Sequence, residues 1–185
     1  MSEKPRVVLL FSGKRKSGKD FLTDRLLQRL TDKCAQIIRI SEPIKRSWAE
    51  KLGLDLQELL GDGPYKERYR REMIEWSDQK RREDAGFFCR QACAAVDRDI
   101  CIVSDVRRKT DLHFFRETYG ERAKTVRIVA SERTRNDRGF TFQEGVDDVQ
   151  SECDLDDVTS WDLVVHNETD TDVDDILDKI EKLFC

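Results

Sequence analysis

The sequence predicts an α/β fold in three layers, a parallel sheet of about five strands with helices on both faces. Three observations lead there. Short apolar runs recur along the chain: Val7 to Phe11, Ile37-Ile38, Ile100 to Val103, Val126 to Ala130 and Leu163 to Val165. Each is nearly continuous, as strands buried on both faces are, rather than alternating. Between them lie longer stretches of helical period, and strand–helix alternation implies a parallel sheet. The 185 residues suit one compact domain spanning 1–185 and are too few for two ordinary ones.

The elements follow in order. A buried strand from Arg6 to Ser12 ends at Gly13. A helix from about Ser17 to Leu30 then places Phe21, Leu22, Leu26, Leu27 and Leu30 on one face. Gln36 to Ile40 is the second strand. Ser41-Glu42-Pro43 supplies an N-cap candidate and a proline near the helix start, which opens a helix towards Leu60. Gly61-Asp62-Gly63-Pro64 breaks it. A charged helix follows from Tyr65 to about Asp84, and another from Gly86 to Val96. The third strand, Ile100 to Ser104, ends at Asp105. A helix from Thr110 to Tyr119 precedes the fourth strand, Thr125 to Ala130. Residues 131–155 show no clear period. Trp161 to His166 is the fifth strand and Val173 to Phe184 the last helix. Segment 131–145 has the position and composition of a lid.

Hydrophobic residues make up 38% of the chain and charged residues 39%. No run approaches the roughly 18–20 apolar residues of a membrane span, and the start of the chain leaves no room for a signal peptide. The six cysteines have no regular spacing and read as reduced thiols of a cytosolic protein. Cys89 and Cys93 share a helix face, but no further Cys or His completes a zinc set. Charge is uneven: residues 1–135 carry 31 Lys+Arg against 22 Asp+Glu, and residues 136–185 carry 3 against 16. A basic body gathers phosphorylated small molecules, while the acidic part argues against a polynucleotide surface.

Gly13-Lys14-Arg15-Lys16-Ser17-Gly18-Lys19 has the spacing G-x-x-x-x-G-K between a strand and a helix. In that context glycines let consecutive N–H groups turn towards phosphate oxygens, the helix N-terminus adds partial positive charge, and Lys19 reaches the β- and γ-phosphates of ATP. Lys14, Arg15 and Lys16 add positive charge to the loop. The residue after the lysine is ordinarily Ser or Thr, the Mg²⁺ ligand. Here it is Asp20, which either holds Mg²⁺, directly or through water, or caps the helix. Asp105, at the end of an apolar strand, is the second metal candidate. Arg107 and Arg108 follow it. Lys45, Lys66, Arg70, Arg81, Arg90, Arg127, Arg135 and Arg138 are further cations that converge if the strand ends share one site.

This surplus of cations bears on the acceptor. A phosphomonoester, with a second pKa of about 6, is largely a dianion at neutral pH and attacks without a general base. Bringing it to ATP sets anion against anion, at about 4 kcal/mol per unit pair at 4 Å and an effective dielectric of 20. Arginines and Mg²⁺ offset that repulsion. His113 sits inside an ordinary helix. His166 ends a strand beside Asn167, with no assignable partner. Trp48, Trp76 and Trp161 read as packing residues.

Leu9 to Asp20, including the unusual Asp20, resembles the phosphate loop of the animal-type phosphomevalonate kinases. Gly86 to Arg90, Ser104 to Arg108 and Gly145 to Asp148 resemble further segments of that family in the same order. The resemblance implies a P-loop fold like that of nucleoside monophosphate kinases. It implies the reaction ATP + 5-phosphomevalonate → ADP + 5-diphosphomevalonate, on the route to isoprenoids and sterols. It assigns ATP to Gly13 to Asp20 with Arg135 and Arg138, the latter closing over the nucleotide. Catalysis falls to Lys19, Arg107 and Arg108. The acceptor falls to Lys45, Lys66, Arg81, Arg90, Arg107, Arg108, Arg127 and Asn167. If the chain is such a kinase, the helical region of about 43–97 is expected to bind the acceptor. The family often has His after that asparagine, whereas this chain has Glu168. The expected partners are ATP, Mg²⁺ and 5-phosphomevalonate, for a cytosolic monomer without nucleic-acid or membrane partners. The alternatives are a nucleoside monophosphate kinase on the same fold and a non-catalytic ATP-binding regulator.

Overall fold

Strands β1 (Val7–Gly13), β2 (Ala35–Ile38), β3 (Ile100–Val103), β4 (Ala123–Val129) and β5 (Leu163–His166) form one sheet in the order β2-β3-β1-β4-β5. All its pairings are parallel. The computed structural model describes residues 5–30, 35–61 and 63–184. Cys34, Cys185 and Asp62 of the predicted Gly61 to Pro64 break lie outside them.

Because successive strand residues face opposite ways, β1 feeds two cores. Leu9 and Phe11 meet Ile102, Val126 and Ile128, covered by Leu22, Leu26 and Leu30 of α1 (Lys19–Leu30) and by Ile176, Leu177 and Ile180 of α9 (Val173–Glu181). Val8 and Leu10 meet Cys101 and Val103, covered by Phe88 and Cys89 of α5 (Phe87–Cys93) and by Leu112 and Phe115 of α6 (Lys109–Tyr119). Phe21, expected on the buried face of α1, is 52% exposed. Burial pushes the Cys89 and Cys101 thiols well above the ordinary cysteine range, so both behave as core residues.

The region after β2 departs from the single long helix expected. α2 (Ser41–Leu52) stops at Gly53, which takes a left-handed conformation at φ 64° and donates its N–H to the Ala49 carbonyl. α3 (Leu56–Leu60) restarts under an Asp55 cap, whose carboxylate accepts from the N–H groups of Gln57 and Glu58. α4 (Pro64–Glu83) then opens on a proline at its first position. Trp48, Ala49, Leu59 and Met73 hold these helices together in a third small core, with Trp76 5.6 Å from Trp48. The segment 131–155, without a clear period in sequence, contains α7 (Glu132–Asp137) and α8 (Gln150–Cys153).

The chain leaves β1 to build β2 and β3 on one side, and later β4 and β5 on the other. The strand order therefore reverses at β1, which puts a crevice beyond its carboxyl end. Ser41 is not the cap of α2. The helix begins at Ser41, and the N–H groups of Ile40 and Ser41 donate to Oδ1 and Oδ2 of Asp105 at 2.7 and 2.9 Å. A carboxylate from the end of β3 thus fixes where α2 enters the crevice.

Asp105→Ala removes both bonds and leaves two amide donors at a buried helix start. A loss of about 2–3 kcal/mol is expected, or roughly 4–10 °C in Tm for a chain of this size. Thermal and urea unfolding of the variant measure it, and an unchanged midpoint would assign α2 to some other anchor.

Candidate active site

The loop between β1 and α1 takes the phosphate-cradling shape. Lys16 and Gly18 have positive φ, 62° and 86°. Such left-handed residues turn neighbouring N–H groups inward into an anion-binding nest. A Cβ at Gly18 would lie 2.2 Å from Asn167 Nδ2 and 3.2 Å from Arg138 Nη1, so glycine is required by space as well as by conformation. At Gly13 a Cβ would meet the Ile128 carbonyl oxygen at 2.8 Å, which keeps the loop tight against β4. Lys19 opens α1, is 8% exposed, and donates from Nζ to Asp20 Oδ1 at 2.8 Å.

Behind this loop stands a brace. Asn167 follows β5, is 4% exposed, and donates from Nδ2 to the Ser17 carbonyl at 2.8 Å. Its own carbonyl accepts from Arg138 Nη2 at 3.1 Å, while Arg138 Nη1 donates to the Ser17 carbonyl at 3.1 Å. Arg135 donates from Nε to the Arg15 carbonyl at 2.8 Å and lies 3.9 Å over the Phe140 ring. Loop carbonyls and an aromatic ring thus hold Arg135 and Arg138 against the phosphate loop. Asn167, expected against the acceptor, does not line the cleft but clamps the loop from behind. Glu168 holds the other end of α7: its carboxylate accepts from Ser131 N–H and Oγ at 2.8 Å each, and from the Thr134 hydroxyl.

A cleft of about 660 Å³ opens between the loop, α2, α4 and the end of β3. Among the expected cations, Lys19, Lys45, Lys66, Arg70, Arg81, Arg107 and Arg108 line it. Others do not. Arg90 pairs with Asp84 on the surface. Arg127 donates to Ser12 Oγ at 2.8 Å and to Asp156 at 3.1 Å, on the sheet side of the loop. Lys14 and Arg15 turn to acids as well, Lys14 to Asp156 at 2.6 Å and Arg15 to both oxygens of Asp147 at 3.0 and 2.9 Å. The charge of Lys16 is exposed. Of the four loop cations, Lys19 alone lines the cleft, and the loop's remaining contribution is its backbone.

The profile of the phosphomevalonate kinase family matches residues 11–121. The phosphomevalonate kinase of Drosophila melanogaster is 51% identical over 183 residues, covering 94% of this chain and 96% of that protein. The chain belongs to the phosphomevalonate kinase family. In fold it is similar to a gluconokinase from Sinorhizobium meliloti, at TM-score 0.53 and 13% identity over 97% of this chain and 91% of that one. A putative kinase from Chloroflexus aurantiacus gives TM-score 0.52 at 13% identity, covering 98% and 97%.

In this family member the strongest organiser of the cleft is a carboxylate. Asp111 of α6 is 1% exposed, accepts from Arg81 Nη1 at 2.5 Å and from the N–H groups of Arg107 and Arg108 at 3.3 and 3.1 Å. Arg108, 5% exposed, reaches Asp78 with Nη2, while Nη1 is buried without a hydrogen-bond partner among the described residues. Ser17 Oγ in the loop is unpartnered in the same sense. A buried donor left over at the cleft wall, as Arg108 Nη1 is, is what an anionic ligand would satisfy. Asp111, Asp78, Glu152 and Arg39 line the cleft or pair with its cations and were not singled out in the sequence. Only Arg39, directly after β2, carried a signal there: its strand-end position.

The two metal candidates separate. Both oxygens of Asp105 are occupied by the α2 amides. Asp20 is 69% exposed at its side chain, at the cleft mouth. Burial alone would raise its pKa, but Lys19, then Arg39 and Arg107, outweigh that and hold it below the ordinary aspartate value. One ionised carboxylate fits Mg²⁺, which takes the rest of its shell from phosphates and water.

The hydroxyls of Thr134 and Ser131 hold the Glu168 carboxyl below the ordinary glutamate range. The tether is therefore intact above that range and is lost as pH falls through the lowered value. Glu168→Ala should speed hydrogen exchange of the 132–138 amides at neutral pH while leaving the α1 amides unchanged. Equal exchange in both proteins would show that α7 does not depend on this carboxylate.

Proposed function

We propose that the chain transfers the γ-phosphate of ATP to the phosphate of 5-phosphomevalonate, giving ADP and 5-diphosphomevalonate. The observation that carries this reading is the cleft wall itself: a phosphate loop faces Arg81, Arg107 and Arg108 across a space in which, among the described residues, no lining residue is aromatic. A nucleobase acceptor calls for a flat slot, usually with an aromatic face. Here the non-polar lining is Ile40, Ile44, Leu60, Met73 and Ile74, suited to the methyl and methylene groups of a short branched acid. Lys45, Lys66 and Arg70, from α2 and α4, match an acceptor that is anionic at both ends.

In this reading the loop amides and Lys19 hold the β- and γ-phosphates. Arg107 and Arg108 draw the acceptor phosphate into line, where its oxygen attacks γ-phosphorus as the bond to the ADP oxygen breaks. The dianion brings no proton to remove. The protein's task is to offset repulsion between the two phosphates and to hold their geometry. Asp20 would hold Mg²⁺, which would supply further neutralisation of phosphate charge. Segment 131–145 serves as the lid, hinged on α7, whose neighbouring Arg135 and Arg138 already grip the loop. Closure excludes water and strengthens the charge contacts inside. Residues 1–185 act as one kinase domain, as a monomer in the cytosol. No described helix is long and apolar enough to cross a membrane.

A coupled ADP-release assay comparing 5-phosphomevalonate, mevalonate, AMP and GMP tests the reading. Turnover with 5-phosphomevalonate alone is expected, and preference for a nucleotide would replace it. Lys19→Met should lower kcat by roughly 10²–10³-fold with the fold intact, since it removes a donor aimed at developing charge. A folded variant with normal turnover would remove the loop from the chemistry.

Arg108→Lys replaces a planar fork, pinned by Asp78, with a point charge that cannot serve both sides. KM for the acceptor should rise roughly tenfold or more, the worth of one charge-assisted hydrogen bond. A KM equal to wild type would make Arg108 a purely structural ion pair.

A further inference from the structure

We infer that Glu152 is a positioning residue for phosphoryl transfer, fixing Arg107 beside the acceptor's approach and bracing it against the phosphate loop through Lys14. Glu152 lies in α8, far in sequence from both cations, and its side chain is 7% exposed. The carboxylate accepts from Arg107 Nη1 and its main-chain carbonyl accepts from Lys14 Nζ at 2.7 Å. One residue therefore joins the phosphate loop to the β3–α6 turn. It lines the cleft beside Lys19 and Arg107.

Two roles are open to a carboxylate at such a place. It can compete with substrate for the arginine, or it can hold the arginine ready. The surroundings decide for the second. Glu152 N–H donates to the Val149 carbonyl at 2.9 Å. Asp147 is locked to Arg15 by two bonds, Asp156 bonds Lys14 and Arg127, Asp154 accepts from the Lys109 N–H at 2.8 Å, and Asp157 accepts from Lys109 Nζ at 2.6 Å. A segment pinned on both sides of Glu152 cannot swing aside for each substrate. Its carboxylate is a fixed counter-charge, which lets Arg107 stand near Arg108 and Lys19 before any phosphate arrives. A guanidinium carries five N–H donors, so one arm given to Glu152 leaves others for phosphoryl oxygens.

The inference rests on the proposed reaction, and its test separates the two. Wild type, Glu152→Gln, Arg107→Lys and the double variant are compared with ATP and 5-phosphomevalonate, with thermal unfolding to check the fold. Glu152→Gln keeps shape and an acceptor oxygen but removes the charge. Its kcat should fall roughly 10–100-fold, the scale of a misplaced reacting group. KM for the acceptor should change far less, and the loss should largely vanish in the Arg107→Lys background, as non-additivity requires. Undiminished kcat, a change confined to KM, or losses that simply add would each overturn the role. If Glu152→Gln does not fold, Glu152→Asp, which keeps the charge one methylene short, decides by the same criteria. A second readout does not need turnover: the Arg107 Nε–H resonance should be a distinct, restrained NMR signal in wild type that averages in Glu152→Gln. Wild type inactive on 5-phosphomevalonate would end the substrate assignment, while an identical Arg107 signal in both proteins would end the positioning role.

Discussion

The cleft depends first on Asp111. Its carboxylate is almost fully removed from water, yet it accepts from one guanidinium and two backbone amides, all belonging to residues that face the cleft. A carboxylate at the third position of a helix, bonded back to the N-cap amide, is an ordinary way to start a helix. Here the N-cap is Arg108 and the residue before it is Arg107. The device that starts α6 is thus the device that aims the turn carrying both arginines. Arg81, arriving from α4, joins the same carboxylate and ties the helical insertion to the sheet. Asp105 does the matching service for α2. Two acids near the end of β3 thus set the position of the cleft's helical wall.

Buried ion pairs are weak evidence for stability, because desolvation cancels much of the attraction. Their value here is geometric. A cleft that must bind two highly charged phosphates needs several cations close together, and bare cations would push each other apart. Asp78, Asp111 and Glu152 make the cluster tolerable in the empty protein by supplying nearby opposite charge. Each also consumes part of a guanidinium fork. The unpartnered Arg108 Nη1 shows the complement: an arm that no described protein group satisfies, on a side chain whose other arm is committed.

Much of the fold was legible in the sequence. Five apolar runs became five strands within a few residues, because strands buried on both faces leave little choice of composition. The phosphate loop was legible to the residue, since its turn demands glycine at Gly18 and a cation at Lys19. The break at Gly53 was not, because a lone glycine in a helical period is tolerated often enough to be read through. Arginines away from strand ends could be recognised as a set but not sorted: nothing local distinguishes Arg81, which faces the cleft, from Arg90, which meets Asp84 on the surface. The organising carboxylates were invisible for a related reason. Glu152 lies among other acids and Asp111 beside a run of cations, and only the fold shows that both are removed from water.

The split in charge along the chain takes on a different meaning once folded. The basic body and the acidic remainder were read as two separate properties, one attracting phosphates and the other repelling polynucleotides. In space they are partners: Lys14 with Asp156, Arg15 with Asp147 and Lys109 with Asp157. The acidic segment folds along the outer side of the phosphate loop and takes up the cations that face away from the cleft. What remains turned inward is Lys19, the loop amides, Arg107 with Arg108, and the cations of the helical wall. The field that a phosphate meets is therefore directional, drawn from the cleft side while the outer side is neutralised. A loop whose four cations all faced the nucleotide would attract it more strongly from every direction and place it less well. Placement, more than attraction, is what transfer between two phosphates demands.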